Sequence, residues 1–150
     1  MTPFICAGAG FLLAVLWFDL MFDVQVIRHA VSEIPEPALE SIAAYYARVT
    51  TAARPMNRLV AAAMIGTVAS IVISLARGDH PVWVGWVSLP LVVAAVAVAG
   101  ARTVPNAVRL GTRRDPGERQ RELAKAVSRD HLFCASAIAT VLAVQLIFAS

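Results

Sequence analysis

The sequence has little charge and very little cysteine. Only 15% of its 150 residues are Asp, Glu, Lys or Arg, whereas about 25% is usual for a soluble domain. Its two cysteines, Cys6 and Cys134, lie far apart in apolar runs, and no spaced set of Cys and His residues accompanies them. This pattern argues against a disulfide-stapled secreted domain and against a zinc-binding module.

The amino terminus lacks the basic residues of a cleavable secretory signal, because no Lys or Arg precedes Arg28. The chain is instead rich in apolar residues: 59% are hydrophobic and the mean hydropathy is +0.70. A helix needs about 20 apolar residues to cross a bilayer. Four runs meet this requirement, covering residues 3–27, 56–75, 81–101 and 132–149. We therefore expect one domain, residues 1–150, with an all-α fold: an integral membrane bundle of four transmembrane helices.

Basic residues are distributed unevenly between the connections. Nearly all of them lie in or next to the two long connections, whereas the short connection between the second and third runs has only Arg77. By the positive-inside rule, both long connections face the cytoplasm and both termini lie outside. We expect the inner membrane of a bacterium as the location. The basic residues of the long connections are Arg28, Arg48, Arg54, Arg58, Arg102, Arg109, Arg113, Arg114, Arg119, Arg121, Lys125 and Arg129.

Both long connections also contain helical patterns, which predict helical cytoplasmic extensions of the bundle. Glu36-Pro37 is typical of a helix start with proline in the first turn. Asp115-Pro116-Gly117-Glu118 has the spacing of a capping box, with Asp115 as the N-cap. An apolar stripe then predicts that this second helix continues into the fourth run, with a histidine facing the bundle. The stripe consists of Leu123, Val127, His131 and Cys134.

Polar residues gather where the runs meet the predicted cytoplasmic surface. Asp19 and Asp23 lie one helical turn apart in the first run, so they share a face, and a carboxylate at this depth needs a partner. Threading the four runs brings further polar residues to the same level. These are Arg54, Asn57, Arg58, Arg102, Asn106, Arg109, Asp130 and His131.

Three interpretations of this constellation stay open. The first is a structural ion pair of Asp19 or Asp23 with Arg58 or Arg54, with Asp19 and Arg58 as the expected partners. The second is a substrate-binding pocket open to the inner leaflet, formed by Asp19 and Asp23 together with Asn57 and Arg58. The third is a metal site in which the two carboxylates and His131 form a facial triad. Because the repeated Glu-x-x-His pairs of di-iron bundles are missing, we expect no metal and no cofactor.

The aromatic residues and the second basic connection indicate contact with membrane lipids. Tyr45, Tyr46, Trp83 and Trp86 are typical of anchors at the two membrane surfaces. The basic residues between positions 102 and 129 favour anionic lipid headgroups. Because this stretch holds no aromatic side chain, we expect no nucleic-acid partner.

Three short motifs resemble a known family. They are the segment from Ala43 to Pro55, the turn Val104-Pro105-Asn106-Ala107-Val108-Arg109-Leu110, and Ser128-Arg129-Asp130-His131 at the start of the fourth run. Taken in this order, they resemble the small four-helix membrane proteins of the anthrone-oxygenase-like family. The resemblance implies a cofactor-independent, oxygenase-like pocket for a polycyclic or otherwise lipophilic substrate. It also implies that Asn106, Arg109 and His131 are the catalytic polar groups.

Two functions are compatible with these observations. One is a small enzyme or binding protein for a lipophilic small molecule, which uses a polar pocket at the cytoplasmic membrane boundary. The other is a non-catalytic accessory or structural subunit, whose charged residues only hold the helices together and whose partners are other membrane subunits or further copies of the chain. The sequence alone favours neither, and whether the protein is an enzyme stays open.

Overall fold

The computed structural model describes residues 1–52, 54–79 and 81–148, apart from the side chains of Arg54 and Pro55. Helices joined by short turns make up these described residues, with no β-strand among them, which confirms the predicted all-α fold. The helices are α1 (Thr2–Ile27), α2 (Glu36–Ala47), α3 (Arg54–Arg77), α4 (Val82–Val98), α5 (Val104–Thr112) and α6 (Gly117–Phe148). A 3₁₀ turn covers Val31–Glu33, and π-helical turns cover Arg48–Ala52 and Ala99–Thr103.

Within the described part of the chain, four helical stretches are long and apolar enough to cross a membrane. They are α1, α3 from Met56 onwards, α4 with its continuation to Thr112, and α6. Large apolar side chains remain exposed along them, for example Phe4, Ile65 and Leu146. Such a surface is unfavourable in water but is solvated by lipid. The protein is therefore a membrane-embedded helical bundle.

The four long helices form a ring in which each packs against two neighbours. Both α1 and α4 pack against α3 and α6, so α1 and α4 lie diagonally across the ring. The core between the helices is apolar and includes Ile5, Leu12, Ile71, Val92, Ile138 and Val141. α1 approaches α3 closely at Gly8, where a Cβ atom would overlap the side chain of Thr67. Only a residue without a side chain permits this approach.

A second apolar core lies at one end of the ring, where α2, α5 and the first half of α6 pack together. Its buried residues include Ile34, Leu39, Ile42, Leu110 and Leu123. We call this end of the bundle the polar end, because it also carries the charged residues described below. The opposite end, where residues 78–81 connect α3 to α4, is called the hairpin end. The 32 residues of α6 span about 48 Å at 1.5 Å per residue, so this helix reaches beyond a hydrocarbon layer of about 30 Å.

One lysine joins α6 to α1 at the polar end. The Lys125 ammonium donates hydrogen bonds to the carbonyl oxygens of Val26, Ile27 and His29, at 3.0, 2.7 and 2.8 Å. These carbonyls stand at the C-terminus of α1, where helical carbonyls lack intrahelical partners and where a cation is favoured by the helix dipole. Lys125 therefore caps α1 and fixes the position of α6 against it.

The third membrane-crossing helix extends further than the apolar run in the sequence. That run ends at Ala101, but helical backbone continues through the π-helical turn into α5 and reaches Thr112. In the π-helical turn the N–H of Val104 donates to the carbonyl of Ala99. Pro105 follows in the first turn of α5; it has no N–H group to donate, so the helical hydrogen-bond pattern is interrupted at this point. Helical backbone therefore leads directly from the membrane to the polar end.

Candidate functional site

The site begins with the two carboxylates of α1. Asp19 and Asp23 lie on successive turns of α1, as the sequence predicts, and both side chains contact the same histidine. Asp23 is completely buried, whereas 16% of the Asp19 side chain is exposed. The two carboxylates therefore form an inner and an outer position of one cluster.

The inner carboxylate has a partner on each oxygen. His131 Nδ1 lies 2.7 Å from Asp23 Oδ2, and the Tyr46 hydroxyl donates to Asp23 Oδ1 at 2.7 Å. An ionised carboxylate only accepts hydrogen bonds, so the ring nitrogen facing it carries the hydrogen. These two donors satisfy a carboxylate in an apolar interior, and among the described side chains no arginine contacts it.

The outer carboxylate is held by the neighbouring tyrosine. The Tyr45 hydroxyl donates to Asp19 Oδ1 at 2.7 Å, and the Tyr45 ring stacks on Phe22 with the ring centroids 3.9 Å apart. The other oxygen of Asp19 lies 3.8 Å from His131 Nε2, which is too long for a hydrogen bond. The imidazole therefore has a bonded carboxylate at Nδ1 and a second, unbonded carboxylate near Nε2.

Both tyrosines act as hydrogen-bond donors because their phenols stay protonated. Burial, followed by the charge of Asp19, raises the pKa of the Tyr45 phenol above its usual value. Burial and the charge of Asp23 raise the pKa of Tyr46 in the same way. Ionising a phenol next to a carboxylate costs more free energy than ionising it in water. The two tyrosines therefore neutralise no charge but orient the carboxylates toward His131.

The cluster has the groups of a general base rather than those of a nucleophilic enzyme. With its hydrogen on Nδ1, His131 has a lone pair on Nε2, and the imidazolium formed on protonation lies between Asp23 and Asp19. In the described part of the chain, no serine hydroxyl or cysteine thiol bonds to this ring; the nearby thiol of Cys134 contacts the carbonyl of Ala95 at 3.5 Å instead. Proton abstraction is thus the chemistry that these side chains can perform.

A second charged pair lies beside the first on α6. Arg102 contacts Asp130 at 3.1 Å, and the Thr103 hydroxyl donates to the other oxygen of Asp130 at 3.4 Å. Asp130 is buried, whereas 62% of the Arg102 side chain is exposed. Consecutive residues of α6 thus face different neighbours: Asp130 faces the π-helical turn after α4, and His131 faces α1 and α2.

The predicted pairing of Asp19 with Arg58 is wrong. Arg58 is exposed on α3, and the Asp19 contacts seen among the described residues are with Tyr45 and His131. Asn57 is also exposed, and its side-chain amide donates to the carbonyl of Thr50 at 3.2 Å. The prediction failed because a long arginine side chain near a helix end extends to water, while the tyrosines of α2 satisfy the carboxylates. The predicted pairing of Arg54 involves a side chain outside the described set.

Two of the three residues that the family resemblance implies lie apart from the cluster. Arg109 contacts Asp115 through two nitrogens, at 2.6 and 3.3 Å, and Asn106 is partly buried on α5. Among the contacts of the described residues, neither one reaches His131. The Arg109 contact also corrects the predicted capping box, because the Asp115 carboxylate is bonded to that arginine rather than to the start of α6.

His131 itself lies where the sequence predicts, since all four residues of its stripe are buried. Sequence reasoning missed the roles of Tyr45 and Tyr46, which were interpreted as interfacial anchors. A signal for Tyr46 was present, because it continues the buried face of α2 formed by Leu39, Ile42 and Ala43. A phenol buried on such a face needs a hydrogen-bond acceptor, and α1 supplies carboxylates.

An apolar groove lies elsewhere on the molecule. It has a volume of about 450 Å³ and runs between α3 and α4. None of the cluster residues lines it; its walls are formed by Met64, Ile65, Val68, Ala69, Val72, Ile73 and Val96. The groove faces the lipid and is not a pocket of the His131 cluster.

The described residues hold no group of three His, Cys, Asp or Glu side chains arranged to bind a metal ion. Asp23 and His131 bond to each other, so the predicted alternative of a facial triad with Asp19 is not formed. Comparison of the chain with models of protein families, with curated proteins and with solved structures gives no match. Any assignment of function therefore rests on the cluster itself.

Proposed function

We propose that this protein binds a lipophilic small molecule with an acidic O–H or C–H group, and that His131 accepts the proton. The observation that carries the proposal is the 2.7 Å contact between Asp23 and Nδ1 of His131, which leaves Nε2 as the basic atom. An imidazole oriented by a carboxylate is a common general base near neutral pH. Asp19, 3.8 Å from Nε2, stabilises the positive charge that the proton brings.

The substrate approaches from the lipid side of α1. Asp19 is the partly exposed member of the cluster, and Trp17 and Phe18 beside it are 66% and 62% exposed. A substrate hydroxyl that reaches this edge of the ring donates its hydrogen to the lone pair of Nε2. Apolar surroundings with few polar groups are typical of sites for lipophilic ligands. The chemical class is therefore a phenol, an enol or a related carbon acid.

The resemblance to the anthrone-oxygenase-like family extends the proposal to a reaction. Once the proton has moved to Nε2, the substrate is a phenolate or a carbanion, and dioxygen is the co-reactant that oxidises it. One oxygen atom ends on the substrate carbon and the other leaves as water, so a CH₂ group becomes a carbonyl group. In this proposal His131 moves the proton, while the tyrosines and Asp23 hold it in position.

The test is His131→Gln in the full chain, reconstituted in lipid nanodiscs. Glutamine keeps hydrogen-bonding capacity but cannot take up the proton. With anthrone as the probe, we expect the wild type to form anthraquinone with uptake of oxygen, and the variant to lose about 10²–10⁴-fold in rate. His29→Gln is the matched control, because His29 lies after the end of α1 and outside the cluster.

A wild-type protein that neither binds nor converts anthrone or a naphthol would overturn this proposal. If the wild type and His131→Gln convert anthrone at equal rates, His131 is not the general base. Binding of anthrone without turnover would support the proposed ligand binding and would contradict the proposed oxygenase reaction.

A second candidate is a non-catalytic subunit of a membrane complex. It is favoured by the internal bonding of the cluster, since both oxygens of Asp23 are bonded within the chain and these bonds join α1, α2 and α6. In that case His131→Gln lowers the melting temperature strongly, and no lipophilic acid protects the wild type against heat. Unchanged melting of the variant would reject the candidate.

We further propose that the polar end faces the cytoplasm of a bacterial cell, with both termini outside. Support comes from the distribution of charge, because Arg102, Arg109 and Lys125 lie at the polar end, whereas Arg77 stands at the hairpin end. Orientation matters for the function, since it decides from which compartment His131 exchanges protons.

A further inference from the structure

A second polar site lies at the hairpin end of the bundle, among otherwise apolar side chains. Gln145 of α6 is only 1% exposed. Its amide nitrogen donates to the Ser88 hydroxyl of α4 at 3.0 Å. Its amide oxygen, in contrast, has no hydrogen-bond partner among the described residues. A buried amide oxygen without a partner is unfavourable, and lipid around the bundle cannot provide one.

A small cavity adjoins this amide. Its volume, measured as the space open to the centre of a water-sized sphere, is about 10 Å³. A cavity needs about 10–15 Å³ on this measure to hold one water molecule. Gln145 lines the cavity together with Ser74 of α3, which is also buried. The remaining walls are Ile5, Ile71, Leu75, Pro81, Val84 and Gly85.

We propose that one water molecule occupies this cavity, donates a hydrogen bond to Gln145 Oε1 and exchanges a second with the Ser74 hydroxyl. The lining has two polar side chains and no charged one, which suits a neutral molecule rather than an ion. The volume admits nothing larger than water. Pro81 is exposed beside the hairpin, so water reaches the cavity from the aqueous phase at this end.

The water links three helices. Gln145 already connects α6 to α4 through Ser88, and the water extends this network to α3. The hydroxyl of Thr67, which precedes Ser74 on α3, donates to the Ala63 carbonyl of the same helix at 2.7 Å and so makes no link to another helix. The bound water thus gives α3 a polar connection to α6 at a position where the described side chains of the two helices share no direct hydrogen bond.

The first test uses the unmodified protein in deuterated detergent micelles. We expect a magnetisation-transfer cross-peak from a slowly exchanging water to the Gln145 side-chain amide. In Ser74→Val the added methyl group fills the cavity, and the cross-peak should disappear. Absence of the cross-peak in the wild type, or its persistence in Ser74→Val, would overturn the proposal.

The second test is a double-mutant cycle on the melting temperature. Gln145 and Ser74 share no direct hydrogen bond, so coupling between Gln145→Met and Ser74→Ala requires a bridge. We expect the double variant to melt close to the lower of the two single variants. Ser70→Ala is the matched control, because Ser70 is buried one turn away on α3 and does not line the cavity. If Ser74→Ala is additive with Gln145→Met, as Ser70→Ala should be, the result would contradict the bridging water.

Discussion

Asp23 of α1 and His131 of α6 are bonded at 2.7 Å across 108 positions of the sequence. The bond lies inside a membrane-embedded bundle, where an unpaired carboxylate is strongly unfavourable. Tyr46 donates to the other oxygen of Asp23. The carboxylate is therefore held in one orientation, and it holds the imidazole of His131 in turn. The consequences of this arrangement can be measured one residue at a time.

The first prediction concerns the two phenols. Tyr46→Phe should lower the free energy of unfolding by about 1.5–3 kcal/mol, since it removes a buried hydrogen bond to a charged group. Tyr45→Phe should cost less, because Tyr45 is only partly buried and water can replace its hydroxyl. Chemical unfolding in detergent measures both. Arg58→Gln is the control and should change the free energy by at most about 0.5 kcal/mol, contrary to the ion pair predicted from the sequence. Equal losses for the two tyrosines would contradict the inner and outer positions assigned to Asp23 and Asp19.

The second prediction concerns the pH at which the tyrosines ionise. The chain has two tyrosines, and both belong to the cluster, so tyrosinate absorbance reports on the site alone. Burial and the adjacent carboxylates raise both pKa values above the unfolded value of about 10. Their contribution to stability is therefore complete below about pH 10 and is lost as the pH rises further. Tyrosinate absorbance should appear only together with loss of helical circular dichroism. A folded protein with ordinary tyrosine titration would refute the geometry.

A third prediction concerns Gln120, which is 2% exposed in the second core, with both amide atoms unpaired among the described residues. Gln120→Met keeps a similar shape and removes the buried polar atoms. The variant should be more stable than the wild type by about 1–3 kcal/mol. Thermal unfolding in detergent measures the change, and Gln145→Met is the comparison expected to destabilise. Destabilisation by Gln120→Met would show that the amide has partners in the folded protein.

The fourth prediction tests the orientation. Single cysteines replace Arg77 or Arg114, both exposed, in a background carrying Cys6→Ala and Cys134→Ala. In intact cells an impermeant maleimide should label the cysteine at position 77 and spare that at 114. Labelling at position 114 would contradict the proposed orientation. Permeabilised cells are the reference, and there both cysteines should be labelled.

The fold could be predicted because its cause is local. Apolar runs such as residues 3–27 leave the backbone no alternative to helix inside lipid, and the stripe that contains His131 decides which face of α6 is buried. The i,i+4 spacing of Asp19 and Asp23 likewise fixes their common face. These features need no knowledge of distant residues.

The partners within the site could not be predicted in the same way. Which residue meets Asp23 depends on how α2 docks against α1, and neither helix's own periodicity contains that information. Arg58 was a reasonable partner of Asp19 by depth, but α2 places the hydroxyl of Tyr45 against that carboxylate. Arg109 was assigned to the site from a short motif, whereas Asp115, six residues along the chain, binds it locally.

The contacts of Lys125 and His131 with α1 can form only after most of the chain has been made. α1 is made first, yet the lysine that caps its last carbonyls lies 98 residues beyond Ile27. When the ribosome has completed α1, Asp19 and Asp23 have entered the membrane without partners. α2 then delivers the tyrosines, and only the last helix brings the cation and the imidazole. The tyrosines of α2 are thus the first partners that the chain offers to the two carboxylates, and they keep these bonds in the complete fold.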